Sequence, residues 1–519
     1  MKKQTFIQGT MILLAAGIAN RMLGFIPRIV LPRVIGAEGV GLFQQAYPFF
    51  IVLVTLITGG IPLAVAKMVA EAEISGSQAA SRRILRTSLA FTLTLGIFFT
   101  GVYILFAPWI TQHVLTDPRV YQAFISMSPM IIIVAVSAVY RGYFQGMQNM
   151  IPSAASSIAE TLMRIVCVIW FSYLLLPRGI EYAAAGAMLG ALAGEFIGMM
   201  VLLWNRRRYS FEPLGMPNSG PASAPGKRIV LRRLLSISVP VTAGRLIGSF
   251  SYLLESIISM RSLAIAGIAT AAATAQYGAL QGMIIPILLL PGALTTSLAI
   301  SLVPSLSEAA ARGDTAMIHK RLHQSVRLAL VTGAPFAVIM YVLPEPLCLM
   351  LYNDASIAGM LKIMAPFALF MYIQPPLQAA LQALERPGTA LFNTLLGAVI
   401  KIGLILLLAS RPEYGIYGAV FAICLNNVIV ALCHGFSVGR LLAFRFPLQD
   451  FWKIGAGMLI MAASVLFTYT KLTFMEAVWM KCISASLAGL IVYLFIMVIS
   501  RMIDRHDLVR VPGLGRWFR

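Results

Sequence analysis

Long apolar runs, parted by short polar breaks, fill most of the chain. They predict helices at about 5–28, 39–66, 84–109, 121–142, 152–176 and 182–204. A break follows. Arg206-Arg207-Arg208 leads into residues 211–226, rich in Pro, Gly and Ser, and then into Lys227-Arg228 and Arg232-Arg233. This is the one long polar connection, and its composition is that of a flexible linker. Six more helices are expected at about 232–258, 274–303, 324–346, 360–383, 389–410 and 416–442, and two last ones at about 452–471 and 478–501. Most runs reach the roughly 20 apolar residues that a spanning helix needs. The expected fold is an all-α polytopic membrane protein with about 14 transmembrane helices.

A repeat organises them. Arg21-Met22-Leu23-Gly24 is similar to Arg245-Leu246-Ile247-Gly248, and Gln44 has a counterpart in Gln281. Glu71 with Gly76 matches Glu308 with Gly313. Pro152 and Pro387 open equivalent helices, and Gly179-Ile180 and Gly415-Ile416 precede the next pair. From helix two onward the offset stays at about 235–237 residues. Six helices per repeat is an even number, so both repeats enter the membrane from one side, giving two parallel six-helix lobes plus two C-terminal helices. The expected divisions are an N-lobe at 1–210, a cytoplasmic linker at 211–231, a C-lobe at 232–445, and a final pair with a basic cytoplasmic tail at 446–519.

Composition agrees with the pattern. Hydrophobic residues are 59% and charged residues 11% of 519, where a soluble domain carries about 25% charge. The net charge of +21 comes mostly from basic residues in short loops. That favours a membrane surface over nucleic acid, which would need a solvated basic face with base-reading residues. With the N-terminus cytoplasmic, about 27 of the 40 basic residues fall on the inner side. Both termini are therefore expected in the cytoplasm, with anionic lipids gathered at the basic face. The apolar stretch after Met1-Lys2-Lys3 is longer than a signal peptide's and reads as a retained helix. Cys167, Cys348, Cys424, Cys433 and Cys482 read as small buried hydrophobes, without metal or disulfide spacing.

Charge inside the spans carries the chemistry. Arg21, Arg164, Arg245 and Lys401 are basic there, and Glu160, Glu195 and Glu255 acidic. Left facing lipid, such residues would cost roughly 20 kcal/mol together, so they face one another or a wet cavity. Glu160 and Arg164 stand one helical turn apart and can pair, as structural glue or as cavity lining. Arg21 and Arg245 occupy equivalent places in the two repeats. Facing across a cleft, they would hold a phosphate or diphosphate; as near-surface groups they would only snorkel. Arg28 and Arg33 extend the basic lining or anchor the helix at the interface. Glu195 and Glu255 are candidates for a proton or cation, or for partners of an arginine. Gln44 and Gln281 complete the polar candidates.

No catalytic, cofactor or metal motif is present. There is no Gly-rich nucleotide loop, and His319 and His323 lack the intervening glutamate of a zinc peptidase. That pair reads as part of a solvated basic loop.

Several stretches resemble a known group: Lys3-Gln4-Thr5-Phe6 to Gly9-Thr10, Ala15-Ala16-Gly17, Arg21-Met22-Leu23-Gly24-Phe25, Ile35-Gly36-Ala37-Glu38-Gly39-Val40-Gly41-Leu42, and Val65-Ala66-Lys67 to Glu71-Ala72-Glu73. They are similar to the stage V sporulation protein B group of the multidrug/oligosaccharidyl-lipid/polysaccharide (MOP) exporter superfamily, related to the MurJ-type lipid II flippases. The resemblance covers nearly the whole chain. It implies a six-plus-six-plus-two fold and a flippase for an undecaprenyl-diphosphate-linked oligosaccharide, here a peptidoglycan precursor for spore cortex synthesis. It also implies a central cavity lined by arginines of helices one and eight. Arg21 matches the first. Where the family has an Arg-Asp pair, this chain has Pro27-Arg28, and Leu280 or Gln281 stands near the place of the helix-eight arginine.

The expected diphosphate site is thus Arg21, Arg28 and Arg245, with Glu160, Arg164, Glu195, Glu255, Lys401, Gln44 and Gln281 as further cavity residues. Membrane potential, H+ or Na+ would drive transport, and peptidoglycan synthases are candidate partners. Three alternatives stand beside this reading: a flippase for another lipid-linked polysaccharide, a cation-coupled multidrug antiporter, and a scaffold that recruits synthases.

Overall fold

The computed structural model describes residues 6–208, 226–444, 448–472 and 477–502. All regular structure among them is helical. Most of the expected linker, and the basic tail from residue 503, lie outside the described residues.

The chain opens with α1 (Phe6–Leu23), α2 (Phe25–Thr58) and α3 (Ile61–Ile74). The apolar stretch Met11–Ile74 is 64 residues long. At 1.5 Å per residue it would extend about 96 Å, against a hydrocarbon core of about 30 Å. One span cannot hold it. It is interrupted at Gly24, at Gly36, whose φ of 68° and ψ of 176° break the helix inside α2, and at Gly59–Gly60. Next come α4 (Gln78–Trp109), α5 (Val120–Ser126), α6 (Ser128–Gly146), α7 (Ile151–Leu175), α8 (Ile180–Arg208) and α9 (Lys227–Ile265).

The run expected as one helix at 274–303 is broken. It forms α10 (Thr270–Gly278), a π-helical turn at Ala279–Ile284, α11 (Ile285–Leu289) and α12 (Gly292–Ala311). The break falls at Leu290–Pro291, where proline withholds a backbone donor. The remainder is α13 (Thr315–Val342), α14 (Pro344–Tyr352), α15 (Ala358–Met364), α16 (Ala368–Ala383), α17 (Pro387–Leu404), α18 (Ile416–Leu442), α19 (Leu448–Lys471) and α20 (Val478–Ile499). Among the described residues, 12 helices can cross a membrane by length and composition, or 13 if α15 and α16, bent by 49°, form one span. The about 14 expected from the sequence exceeds that count; the undivided stretch 11–74 counts in it as one.

His319 and His323 correct one expectation. Asp314 caps α13 by accepting from the Met317 amide at 2.9 Å, so the helix starts nine residues before the predicted 324. Both histidines then lie in its first turns. His319 Nε2 is 2.8 Å from the Leu442 carbonyl, and His323 Nε2 is 2.6 Å from Asp450 Oδ2. They tie α13 to the end of α18 and the start of α19 rather than standing in a solvated loop.

Packing divides the chain into two compact units, Met1–Met283 and Ile284–Arg519. The repeat divides it at the linker instead. In the first unit Tyr103 stacks on Phe124 at 4.1 Å and donates to the Phe124 carbonyl at 3.0 Å. In the second, Tyr372 donates to the Leu288 carbonyl at 2.8 Å, and Tyr493 on α20 reaches the Val331 carbonyl on α13 at 3.1 Å. Cys167, Cys348, Cys424 and Cys482 are buried and Cys433 partly so, all as free thiols.

The repeat reappears in backbone geometry. Gly76 and Gly313 both have φ of 69°, and each precedes a capped helix, with Ser77 and Asp314 as caps. Gln148 and Glu385 both take the rare left-handed conformation, at φ of 54° and 58°.

One crossing joins the equivalents directly. A Cβ on Gly41 would overlap the Thr274 carbonyl, and a Cβ on Gly278 would overlap the Ala37 carbonyl. Ala37 and Gly41 are the counterparts of Thr274 and Gly278 at an offset of 237. The contact between α2 and α10 is therefore self-complementary.

Glycine also sets the closest helix pair. Gly186, Gly190, Gly194 and Gly198 form one stripe on α8, four residues apart, pressed against Phe171, Val168, Arg164 and Glu160 of α7. Small residues at this spacing let membrane helices approach backbone to backbone. A Cβ on Gly190 would lie 2.6 Å from the Cys167 carbonyl carbon and closer still to Val168. The variant Gly190→Leu is expected to lose most folded protein, read as the monodisperse fraction after membrane extraction; a parent-like yield contradicts it.

Candidate functional site

The glycine stripe brings together charges that span three helices. Arg164 Nη2 on α7 pairs with Glu160 Oε1 one turn below, and lies 3.1 Å from Glu195 Oε1 on α8. Arg141 Nη2 on α6 reaches the other oxygen, Glu160 Oε2, at 2.5 Å. Glu160 is 8% exposed. Two guanidinium and two carboxylate groups thus form a linked charge cluster, Arg141–Glu160–Arg164–Glu195, inside apolar helices. The spacing of Glu160 and Arg164 was readable from sequence. Arg141 was missed: it closes the run 121–142, and its partner lies 19 residues away. The cluster is not saturated, since Glu195 Oε2, Arg141 Nε and Arg164 Nε are buried without hydrogen-bond partners.

Beside it lies the last turn of α1. Asn20 Nδ2 donates to Ser157 Oγ at 2.5 Å, one turn below Glu160 on α7. This places Arg21 next to the residue that fastens α1 to α7. Arg21 is exposed, as is Arg28, whose guanidinium sits 5.9 Å over the Phe25 ring. Tyr47 on α2 is within electrostatic range of Arg28, Glu160, Arg164 and Glu195, so these residues share one neighbourhood.

A second polar group lines α9. Tyr252 donates to Gln44 Oε1 at 3.3 Å, and Glu255, three residues on, accepts from Gln281 Nε2 at 2.9 Å. The repeat-related glutamines therefore flank one face of α9. Gln281, rather than the 1% exposed Leu280, supplies a polar group here, and it does so from the π-helical turn. π-bulges of this kind are frequent at functional sites. Glu255 thus has an amide partner.

Arg245 is exposed on α9, one turn before Ser249, which meets Thr55 Oγ1 of α2 at 2.9 Å. Among the described residues no carboxylate pairs with Arg28 or Arg245. Arg33 is exposed near the Gly36 break. Lys401 belongs to α17 in the second unit.

Sequence reading also passed over a cluster beyond the spans. Asp117, 1% exposed, follows the π-helical turn that ends α4. It accepts from Arg119 Nε at 3.0 Å, from Arg119 Nη2 at 2.8 Å and from Thr274 Oγ1 at 2.8 Å. Arg119 Nη1 then reaches Glu38 at 2.6 Å. Burial works against the Asp117 charge, but the bonds from Arg119 and Thr274 outweigh it, and its carboxyl stays below the usual range. A lowered carboxyl contributes fully above its ordinary value of about 3.9 and is lost as pH falls through the lowered one. Near-neutral conditions therefore leave this ion pair intact. Hydrogen bonding to Asp117, against burial, raises Arg119.

Long apolar helices that pair their charges with one another are the make-up of a multi-pass membrane protein. Residues 6–310 match the family of polysaccharide biosynthesis proteins, and residues 249–407 match the MatE family. The chain belongs to the polysaccharide biosynthesis protein family. It is 40% identical to stage V sporulation protein B of Bacillus subtilis (strain 168), over 99% of both chains. It is 26% identical to the lipid II flippase MurJ of the same organism, over 83% of this chain and 81% of that one. Among solved structures, the inward closed conformation of lipid II flippase MurJ superposes with a TM-score of 0.71 at 17% identity, covering 94% of this chain and 99% of that one. An inward-facing multidrug resistance MATE transporter of the MOP superfamily gives 0.65 at 15% identity, covering 82% and 94%.

Proposed function

We propose that this protein flips an undecaprenyl-diphosphate-linked oligosaccharide, a peptidoglycan precursor for the spore cortex, across the bacterial cytoplasmic membrane. The observation that carries this reading is the set Arg21, Arg28 and Arg245, three guanidinium groups exposed on apolar helices. A diphosphate supplies the oxygens that such donors take up bidentately. The 40% identity to stage V sporulation protein B supports the link to sporulation, and the 26% identity to the lipid II flippase MurJ supports a lipid-linked cargo. Two lobes, 1–210 and 232–445, would expose the site alternately to each face, with the pair of helices after residue 446 beside them. Both termini lie in the cytoplasm in this scheme, and the basic inner face gathers anionic lipid. The membrane potential or a gradient of H+ or Na+ drives the cycle, and peptidoglycan synthases receive the product.

Depleting the protein during sporulation is expected to build up one polyprenyl-diphosphate-linked sugar on the inner leaflet. Unchanged precursor levels would favour a scaffold for synthases. The MatE match over residues 249–407 is the observation behind a second reading, a cation-coupled multidrug antiporter. Drug resistance conferred on a pump-deficient host would support it.

A further inference from the structure

The self-complementary crossing and the Asp117 cluster meet at one residue. The Thr274 carbonyl occupies the space that a side chain on Gly41 would need. The Thr274 hydroxyl donates to Asp117 at 2.8 Å and accepts from Gln45 Nε2 at 3.2 Å. Asp117 in turn holds Arg119, and Arg119 holds Glu38 on α2. A single threonine near the start of the eighth membrane helix is thus bound to the second helix and to the loop after the third.

The seam is of a kind that can part. It consists of a backbone approach at two glycines and a short chain of polar bonds. Arg119 and Glu38 are partly exposed, at 36% and 27%, so their charges rehydrate readily on separation. The pairing of α7 and α8 is different: four glycines, a buried hydrogen bond from Ser156 to the Gly198 carbonyl at 2.8 Å, and the Arg164–Glu195 pair hold it. Where two equivalent helices cross about a local pseudo-twofold, the same contact is made twice by equivalent positions, so its two halves are alike. With the N-terminus cytoplasmic, the Asp117 loop and the first turn of α10 lie on the outer side.

We propose that Thr274, Asp117, Arg119 and Glu38, together with the Gly41–Gly278 crossing, form the outer latch of the transport cleft. Closed, it fastens the eighth helix to the second and seals the cleft from outside. When the cleft turns outward, the Thr274–Asp117 bond and the glycine contact break together. This rests on the alternating-access part of the proposed function, but not on the identity of the cargo.

The test uses the full chain with its five cysteines replaced and a single reporter, Val40→Cys. Val40 is 3% exposed and faces the eighth helix, its Cγ1 filling the space a side chain on Gly282 would need. A membrane-impermeant maleimide is applied to right-side-out vesicles without substrate. The parent should label slowly. Thr274→Val, which removes the hydroxyl at nearly constant volume, should label at least about tenfold faster, and Thr274→Ser should return to the parent rate. Asp117→Asn with Thr274→Val should be at least as fast as Thr274→Val alone. Equal rates for Thr274→Val and Thr274→Ser in monodisperse protein would overturn the latch. Should Thr274→Val not fold, Arg119→Ala, altering a partly exposed side chain, is expected to raise labelling as well, and a parent rate there overturns it. Faster labelling in inside-out than in right-side-out vesicles would overturn the outer placement. Because no substrate is present, a failed flippase assay leaves this measurement intact.

Discussion

Reversing two charges, Arg21→Glu with Arg245→Glu, is expected to reduce transport by roughly 1000-fold. A hydrogen bond to a charged group contributes about 1.5–3 kcal/mol. Two such losses amount to roughly 4 kcal/mol, or about three powers of ten in affinity. Repulsion between the new carboxylates and a diphosphate adds to this. Both side chains are exposed, so folding should survive, which gel filtration of the extracted protein checks. Each single reversal should fall between parent and double variant. A double variant that is folded and fully active in a vesicle flipping assay would refute the diphosphate clamp.

The second large effect concerns stability. Glu160→Ala removes the residue that both Arg141 and Arg164 hold. It leaves two guanidinium groups with Glu195 alone, which touches only Arg164. Breaking a fully buried pair from one side costs about 3–5 kcal/mol, because the remaining charge is left without compensation; with the Arg141 and Arg164 side chains 31% and 35% exposed, that range is the upper bound here. The expected result is a clear drop in Tm in detergent and a lower yield. Adding Arg164→Leu to Glu160→Ala should recover part of the loss, since one stranded charge goes with it. An unchanged Tm for Glu160→Ala would mean that water, not Glu160, compensates the arginines.

Hydropathy and helix capping tell different things about a chain like this one. Apolar runs located the membrane part of nearly every helix, and α18 was placed at its observed bounds, 416–442. They could not find where a helix continues into water. That is why α13 starts at Thr315 rather than 324: Asp314 is a cap signal, and the basic residues after it lower hydropathy without breaking the helix. Pro291 stands inside the apolar run 274–303, but whether a helix bends or stops there depends on neighbours that a sequence does not name. The same boundary runs through the charged site. Glu160 and Arg164 meet through local spacing, so the sequence held that contact. Arg141–Glu160 and Thr274–Asp117 meet only because helices far apart in sequence pack together, 19 and 157 residues away. The four-residue glycine spacing on α8 was the readable sign that α8 would lie close on a neighbour.

The charge cluster has an electrical consequence. Moving one elementary charge through the whole membrane field changes energy by about 2.3 kcal/mol per 100 mV. With both carboxyls ionised, Arg141, Arg164, Glu160 and Glu195 sum to zero charge, so carrying the cluster as a body through any fraction of that field does almost no electrical work. In that state sensitivity to voltage arises elsewhere, in the arginines outside the cluster and in whatever anion they carry. A proton taken up by one of the two carboxyls adds one positive charge to the cluster, so a transport current recorded at clamped voltage would then depend on pH as well as on the cargo.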